Sequence, residues 1–177
     1  RSQSGDRYPL FLPLGERAVT VSFGDTIDEE TNEAVIRVAD SLRDHPFDGF
    51  EEAVPTYRSL LILYDPLVTS GDRVEQVVAE RFAAAEHAAR PARRWHIPVY
   101  YGGEAALDLE SLSAEKGMTQ QELIALHSSA EYRVFMIGFA PGFVYLGGLP
   151  EQLHVPRLPK PRQLVPAGAI GIGGQQA

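Results

Sequence analysis

The run over residues 132–174 (YRVFMIGFAPGFVYLGGLPEQLHVPRLPKPRQLVPAGAIGIGG) limits the fold more than any other part of the chain. It holds eight of the sixteen glycines and sets Arg157 and Arg162 among Pro156, Pro159 and Pro161. Glycine at this density admits turns that a Cβ would obstruct, and proline stiffens the segment that carries the arginines. Turns at such short intervals suggest an all-β barrel rather than a doubly wound sheet. The glycines read either as barrel corners or as tight backbone turns that hold a small anion or carboxylate beside the stiffened cations.

The first half reads as a compact α/β unit. Residues 18–23 (AVTVSF) alternate as a strand ended by Gly24. Thr26 with Glu29 predicts a capping box, and Ala34, Val35, Val38, Ala39 and Leu42 then recur on one helical face until Pro46 and Gly49. EEAVP and SLLILY read as two strands, the second apolar enough to be central. Ser70 caps a second helix whose face carries Val74, Val77, Val78, Phe82 and Ala85. RRWHIPVYY supplies a further strand. The order β-α-β-β-α-β is that of a ferredoxin-like sandwich.

The basic, helix-breaking join AARPARR (88–94) marks a domain boundary, giving domains 1–91 and 92–177. The second domain opens with a loop and a short helix ending at Gly117. Thr119 and Glu122 form a capping box for QQELIALHSSA, and YRVFMIGF then enters the sheet. The class is α+β.

Composition excludes several functions. At 177 residues and 44% hydrophobic content the chain can bury a core, and its net charge of −8 argues against nucleic acid or an anionic membrane as partner. Without cysteine there is no disulfide, thiolate site or thiol nucleophile. No apolar stretch approaches the ~20 residues of a membrane span. The polar start RSQSGD lacks a signal pattern, so a cytoplasmic protein is expected.

No phosphate loop, HExxH or GxSxG elbow is present. Glycine-rich pieces at 138–142 and 171–174 could offer backbone amides to an anion, but neither has the spacing of a dinucleotide fingerprint. The chain alone is therefore not expected to bind ATP. His45, His87, His96, His127 and His154 form no ligand pair, and no metal site is expected. His45 and His87 sit near helix ends. His127 reads as a packed core histidine or a general base, and His154 is the better-placed candidate for chemistry. Arg157 and Arg162 offer rigid donor forks for carboxylate or phosphate, unless they bridge to acids such as Glu151 or Glu104. Lys160 between them reads as solvated. Phe139, Phe143 and Tyr145 either fill a barrel core or hold the flat ring of a small ligand.

The segments GFAPGFVYLGGLP and PRLPKPRQLVPAGAIGIGG resemble the family that contains allophanate hydrolase subunit 1, the B subunit of 5-oxoprolinase and KipI-type histidine kinase inhibitors. LGERAVTVSFG, VPTYRSLLILYDP, IPVYYGGEAALDLESL and ELIALHSSAEYRVFMIGFAPGF extend the resemblance from about Leu14 to the C-terminus. It implies a cyclophilin-like barrel for the second domain, with further barrel strands beyond the stretch matching GIGGQQA. It further implies a small subunit that pairs with a larger homologous one, and with a third, in ATP-dependent opening of 5-oxoproline. ATP, with magnesium, would act at the level of the complex. Arg157 and Arg162 match the family's PRxxxPR segment, and with His154 they are the catalytic candidates. Gln176 matches the glutamine of its GxQT segment and joins Phe139, Phe143 and Tyr145 as substrate-binding candidates. Val144, Ala169 and Ala177 depart from proline, serine and threonine in relatives. The resemblance also covers subunits of allophanate hydrolase or urea carboxylase and inhibitors that grip a kinase helix.

Overall fold

The computed structural model describes residues 8–84 and 93–177. Ala85, His87 and most of the 88–94 join lie outside the described residues. The chain divides into two compact units, residues 1–89 with 135–137, and residues 90–134 with 138–177.

In the first unit, β1 (Leu10–Pro13), β2 (Ala18–Ser22), β3 (Phe50–Pro55) and β4 (Ser59–Tyr64) form an antiparallel sheet in the order β1-β2-β4-β3. β4 buries Leu60, Ile62 and Tyr64 in strict alternation, as a pleat with one face in the core requires. Val19 and Val21 stand opposite Ile62 and Leu60. Helices α1 (Glu29–Asp44) and α2 (Gly71–Ala84) share this core through Val35, Val38, Ala39 and Leu42 on the first, and Val74, Val77 and Val78 on the second. Arg81 on α2 donates to the carbonyls of Ser41 and His45 (3.2 and 2.9 Å), satisfying the open end of α1.

Two local expectations change. The cap of α1 is Asp28, whose Oδ1 accepts the Thr31 amide at 2.8 Å, while Thr26 donates its hydroxyl to Asp28 Oδ2 at 2.6 Å. An ionised carboxylate at the positive end of a helix displaces the predicted Thr26–Glu29 box. The Thr26 hydroxyl, and then the Thr31 amide, hold the Asp28 carboxyl below its usual range.

The second change concerns RRWHIPVYY. Its described residues 93–101 form no strand, and Trp95 and Ile97 remain 72% and 71% exposed. The edge place beside β2 belongs instead to β1, paired from Leu10↔Ser22 to Pro13↔Val19. A short strand ending in proline suits an edge.

The second unit has a smaller core, Leu123, Leu149 and Leu153, with Leu109, Leu112, Leu126, Tyr132 and Ile172 packed on it. Helices α3 (Leu109–Lys116) and α4 (Gln120–Ser129) precede strands β5 (Arg133–Ile137) and β6 (Val144–Gly147), which form a two-stranded sheet. The Thr119–Glu122 capping box of α4 is present, the Glu122 amide donating to Thr119 Oγ1 at 3.2 Å. Among the described residues the remaining pairings are isolated bridges, Val155↔Gly174 and Gly173↔Gln176, and a reciprocal pair between Leu146 and Ala177. The observed class is mixed α+β with antiparallel sheets.

Candidate functional site

The turn between β5 and β6 is closed by its own backbone. The Gly138 amide donates to the Phe143 carbonyl at 3.0 Å, Ala140 to Gly138 at 2.7 Å, and Phe143 to Ala140 at 3.0 Å. Phe139 is held at φ +62, a conformation that side chains adopt only when the surroundings enforce it. Farther on, the Gly173 amide donates to Gln176 and the Gly174 amide to Val155. The amides of Gly138, Gly173 and Gly174 are thus taken by backbone carbonyls.

The strained turn leaves an aromatic row. Phe139 and Phe143 meet at 5.4 Å, and Phe143 and Tyr145 at 5.1 Å, both edge to face. Phe139 is 90% exposed, so the row does not fill a core in this unit. The reciprocal Leu146–Ala177 pair ties residue 177 to β6, which brings its neighbour, half-buried Gln176, toward the strand carrying Tyr145.

The arginine segment divides in two. Arg162 forms a bidentate pair with Asp108 at 2.7 and 2.5 Å. Its hydrogen bonds hold the Asp108 carboxyl below, and the Arg162 guanidinium above, their ordinary ranges. The pair replaces the bridges to Glu151 or Glu104 weighed from sequence. Arg157 has no hydrogen-bond or ion-pair partner among the described residues. Its stem lies over the Gly173 backbone, where an added Cβ would meet Arg157 Cγ at 3.1 Å and Nε at 3.3 Å.

His154 is half-buried, and its Nε2 lies 3.0 Å from the Leu149 carbonyl. A carbonyl only accepts, so Nε2 carries the proton and Nδ1 is the basic nitrogen. Lys116 Nζ donates to the His154 carbonyl. Of the candidates, the structure joins Phe139, Phe143 and Tyr145 in one row and Arg157 to the Gly173–Gln176 turn, and it anchors Arg162 on α3.

Sequence reading missed Asp108, although an aspartate before LESLSAEK carries a helix-start signal. It also missed the partners of His127. That histidine is buried, its Nδ1 lies 2.5 Å from the Tyr101 hydroxyl, and the Tyr132 hydroxyl donates to its carbonyl at 3.0 Å. This is the packed core histidine, one of the two roles open to it. Burial lowers the His127 pKa and raises that of Tyr101. Tyr132 is pushed up to about 12, chiefly by burial and then by Tyr101.

A histidine with a lowered folded pKa stabilises above its unfolded value of about 6.5 and loses that contribution as pH falls through the folded value. Urea unfolding between pH 5 and 8 is expected to show stability falling below about pH 6.5. In His127→Gln the slope is shallower by up to about one proton per molecule. An unchanged slope would remove His127 as its source.

A family model for the carboxyltransferase domain, subdomain C and D, matches residues 9–177. The chain is 37% identical over 174 residues to the B subunit of 5-oxoprolinase from Bacillus subtilis (strain 168), covering 92% of this chain and 72% of that protein. It is 40% identical over 165 residues to the B subunit of 5-oxoprolinase from Escherichia coli O157:H7, covering 92% and 74%. A crystal structure of TTHA0988 superposes with a TM-score of 0.79 at 34% identity, over 90% of this chain. The chain spans 31% of the length of that solved protein. With the family match running from residue 9 to residue 177, and identity above 30% across 92% of the sequence, the chain belongs to the family of the carboxyltransferase domain, subdomains C and D.

Proposed function

We propose that this chain is the small, B-type subunit of a cytoplasmic, heteromeric 5-oxoprolinase that opens 5-oxo-L-proline to L-glutamate at the cost of ATP. Its partners are a larger homologous subunit and a third one. The relatives named as the B subunit of 5-oxoprolinase support this assignment. The observation that carries it at the site is Arg157, a guanidinium with no partner among the described residues, in the same unit as an exposed aromatic row. A compact ring bearing one carboxylate matches that combination. Phe139, Phe143, Tyr145 and Gln176 take the ring and its amide, and Arg157, Arg162 and His154 serve the charged end, by contact or by positioning. The N-terminal domain (1–91) is read as a ferredoxin-like sandwich and the C-terminal one (92–177) as a cyclophilin-like barrel.

A five-membered lactam is a resonance-stabilised amide. Transfer of a phosphoryl group from ATP to its oxygen weakens the ring C–N bond, and water then completes hydrolysis with release of phosphate. ATP acts at the level of the complex, since the glycine-rich pieces of this chain lack the spacing of a dinucleotide fingerprint. This chain contributes cationic and apolar surface that holds the activated substrate away from bulk water.

The test is 5-oxoproline-dependent ADP release by the assembled complex, with each subunit omitted in turn. Release that disappears when this subunit is left out is expected. A silent complex of verified assembly overturns the substrate in favour of urea-derived amides. Failure to assemble overturns the enzyme reading in favour of kinase inhibition.

A further inference from the structure

We infer that α3 is a splint for the arginine loop, in which Asp108 and Lys116 fix the two ends so that Arg157 alone receives one carboxylate. The inference rests on the 5-oxoprolinase reading and divides its two arginines between different tasks.

Asp108 stands just before α3 and accepts from both Nη1 and Nη2 of Arg162. Lys116, the last residue of α3, donates to the carbonyl of His154. One helix therefore grips the loop on either side of Arg157. Residues 108 and 116 are about 12 Å apart along a helix. The loop from 154 to 162 could extend to about 25 Å as proline-rich chain. Tying both ends of this segment to one helix removes much of its freedom, and Pro156, Pro159 and Pro161 further limit the shapes it can take.

Arg157 lies between the two anchors, its stem on Gly173, where an added Cβ would crowd it. Its guanidinium keeps its donors, whereas those Arg162 turns to Asp108 are occupied. One open fork suits a single carboxylate, and stiffening it beforehand reduces the ordering required on binding. Asp108, Lys116 and Arg162 are positioning residues, and Arg157 is the binding residue.

The experiment measures 5-oxoproline-dependent ADP release by the assembled complex carrying variants of this subunit. Asp108→Ala and Arg162→Ala are each expected to raise KM about 10-fold with kcat largely kept, and the double variant to do no worse than either. The exchanged pair, Asp108→Arg with Arg162→Asp, brings KM back to within about 3-fold of the parent, as only a mutual anchor would allow. Arg157→Ala raises KM about 100-fold, and the exchange does not relieve it. An exchanged pair as impaired as the single variants makes Arg162 a substrate ligand and overturns the inference.

Trypsin supplies a readout independent of substrate. It cleaves after Arg157 and Arg162, while Pro161 protects Lys160. In the parent protein cleavage after Arg157 should exceed that after Arg162 about 10-fold, and Asp108→Ala should equalise the two. Equal rates in the parent overturn the splint whatever the substrate. A complex silent toward 5-oxoproline with protected Arg162 overturns only the substrate reading.

Discussion

Asn32→Asp is expected to destabilise the N-terminal unit by about 3–5 kcal/mol at neutral pH, the scale of a buried charge left without a partner. Asn32 lies in the first turn of α1 and is fully buried. Its Nδ2 donates to the carbonyls of Thr56 and Tyr57 at 3.1 Å each, and to that of Phe135 at 3.0 Å. One amide thus joins α1 to the turn before β4 and to residues 135–137, which belong to the same unit. The Tyr57 and Phe135 rings meet edge to face at 5.8 Å beside it. Asn32 Oδ1 is buried without a hydrogen-bond partner. The site thus already carries one unmet acceptor, and removing the donors would leave only oxygens facing one another.

A carboxylate there meets three carbonyl oxygens, so its folded pKa lies above the unfolded value of about 3.9. For an acid raised in this way the penalty is absent below the unfolded pKa and grows as pH rises through the folded one. Urea midpoints of parent and variant should therefore differ far more at pH 7.5 than at pH 4. An equal gap at both pH values would show that lost packing, rather than buried charge, is responsible. A gap below about 1 kcal/mol would remove the amide as the tie.

The parts of the fold legible in the sequence are those set by neighbours along the chain. The stripe of α1 and the alternation of β4 follow from period alone, and Val35, Val38, Leu42, Leu60 and Ile62 are all buried accordingly. The Thr119–Glu122 box is local in the same sense. The misread elements depend on distant partners. Trp95, Ile97 and Val99 alternate like a strand, but a strand also needs an edge, and β1 holds the edge beside β2. Leu10–Pro13 is a strand because β2 is there to pair with it.

The site divides along the same line. Arg157, Arg162, His154 and the aromatic row were legible as residue types gathered in one stretch of chain. Their separate tasks were not, because Asp108 is 54 residues from Arg162 and no local pattern joins them. The bonding of the glycine amides is equally non-local. Whether an amide is free depends on which carbonyl folds back on it, and Val155 and Gln176 take those of Gly174 and Gly173.

Gly148→Ala is expected to cost the C-terminal unit about 3 kcal/mol or more, since strain and a backbone clash act together. Gly148 follows β6 at φ +91, where a side chain is already strained. A Cβ built there lies 2.6 Å from the Glu131 carbonyl oxygen and 3.6 Å from Tyr132 Cα. Those atoms are backbone, so no rotamer change relieves the contact, and β6 or the start of β5 has to move. The next residue, Leu149, is in the core with Leu123 and Leu153, and its carbonyl faces His154 Nε2. Displacement would thus disturb the small core and the start of the arginine loop at once. Gly142→Ala separates the two causes. Gly142 has φ +79 with nothing within 4 Å of an added Cβ, so it carries the strain without the clash, about 1 kcal/mol. Urea unfolding of both variants should place Gly148→Ala at least about 2 kcal/mol below Gly142→Ala. Equal stabilities would mean that the β6 end yields readily around Glu131, and a site built on that strand would then owe its shape to the bound complex rather than to this chain.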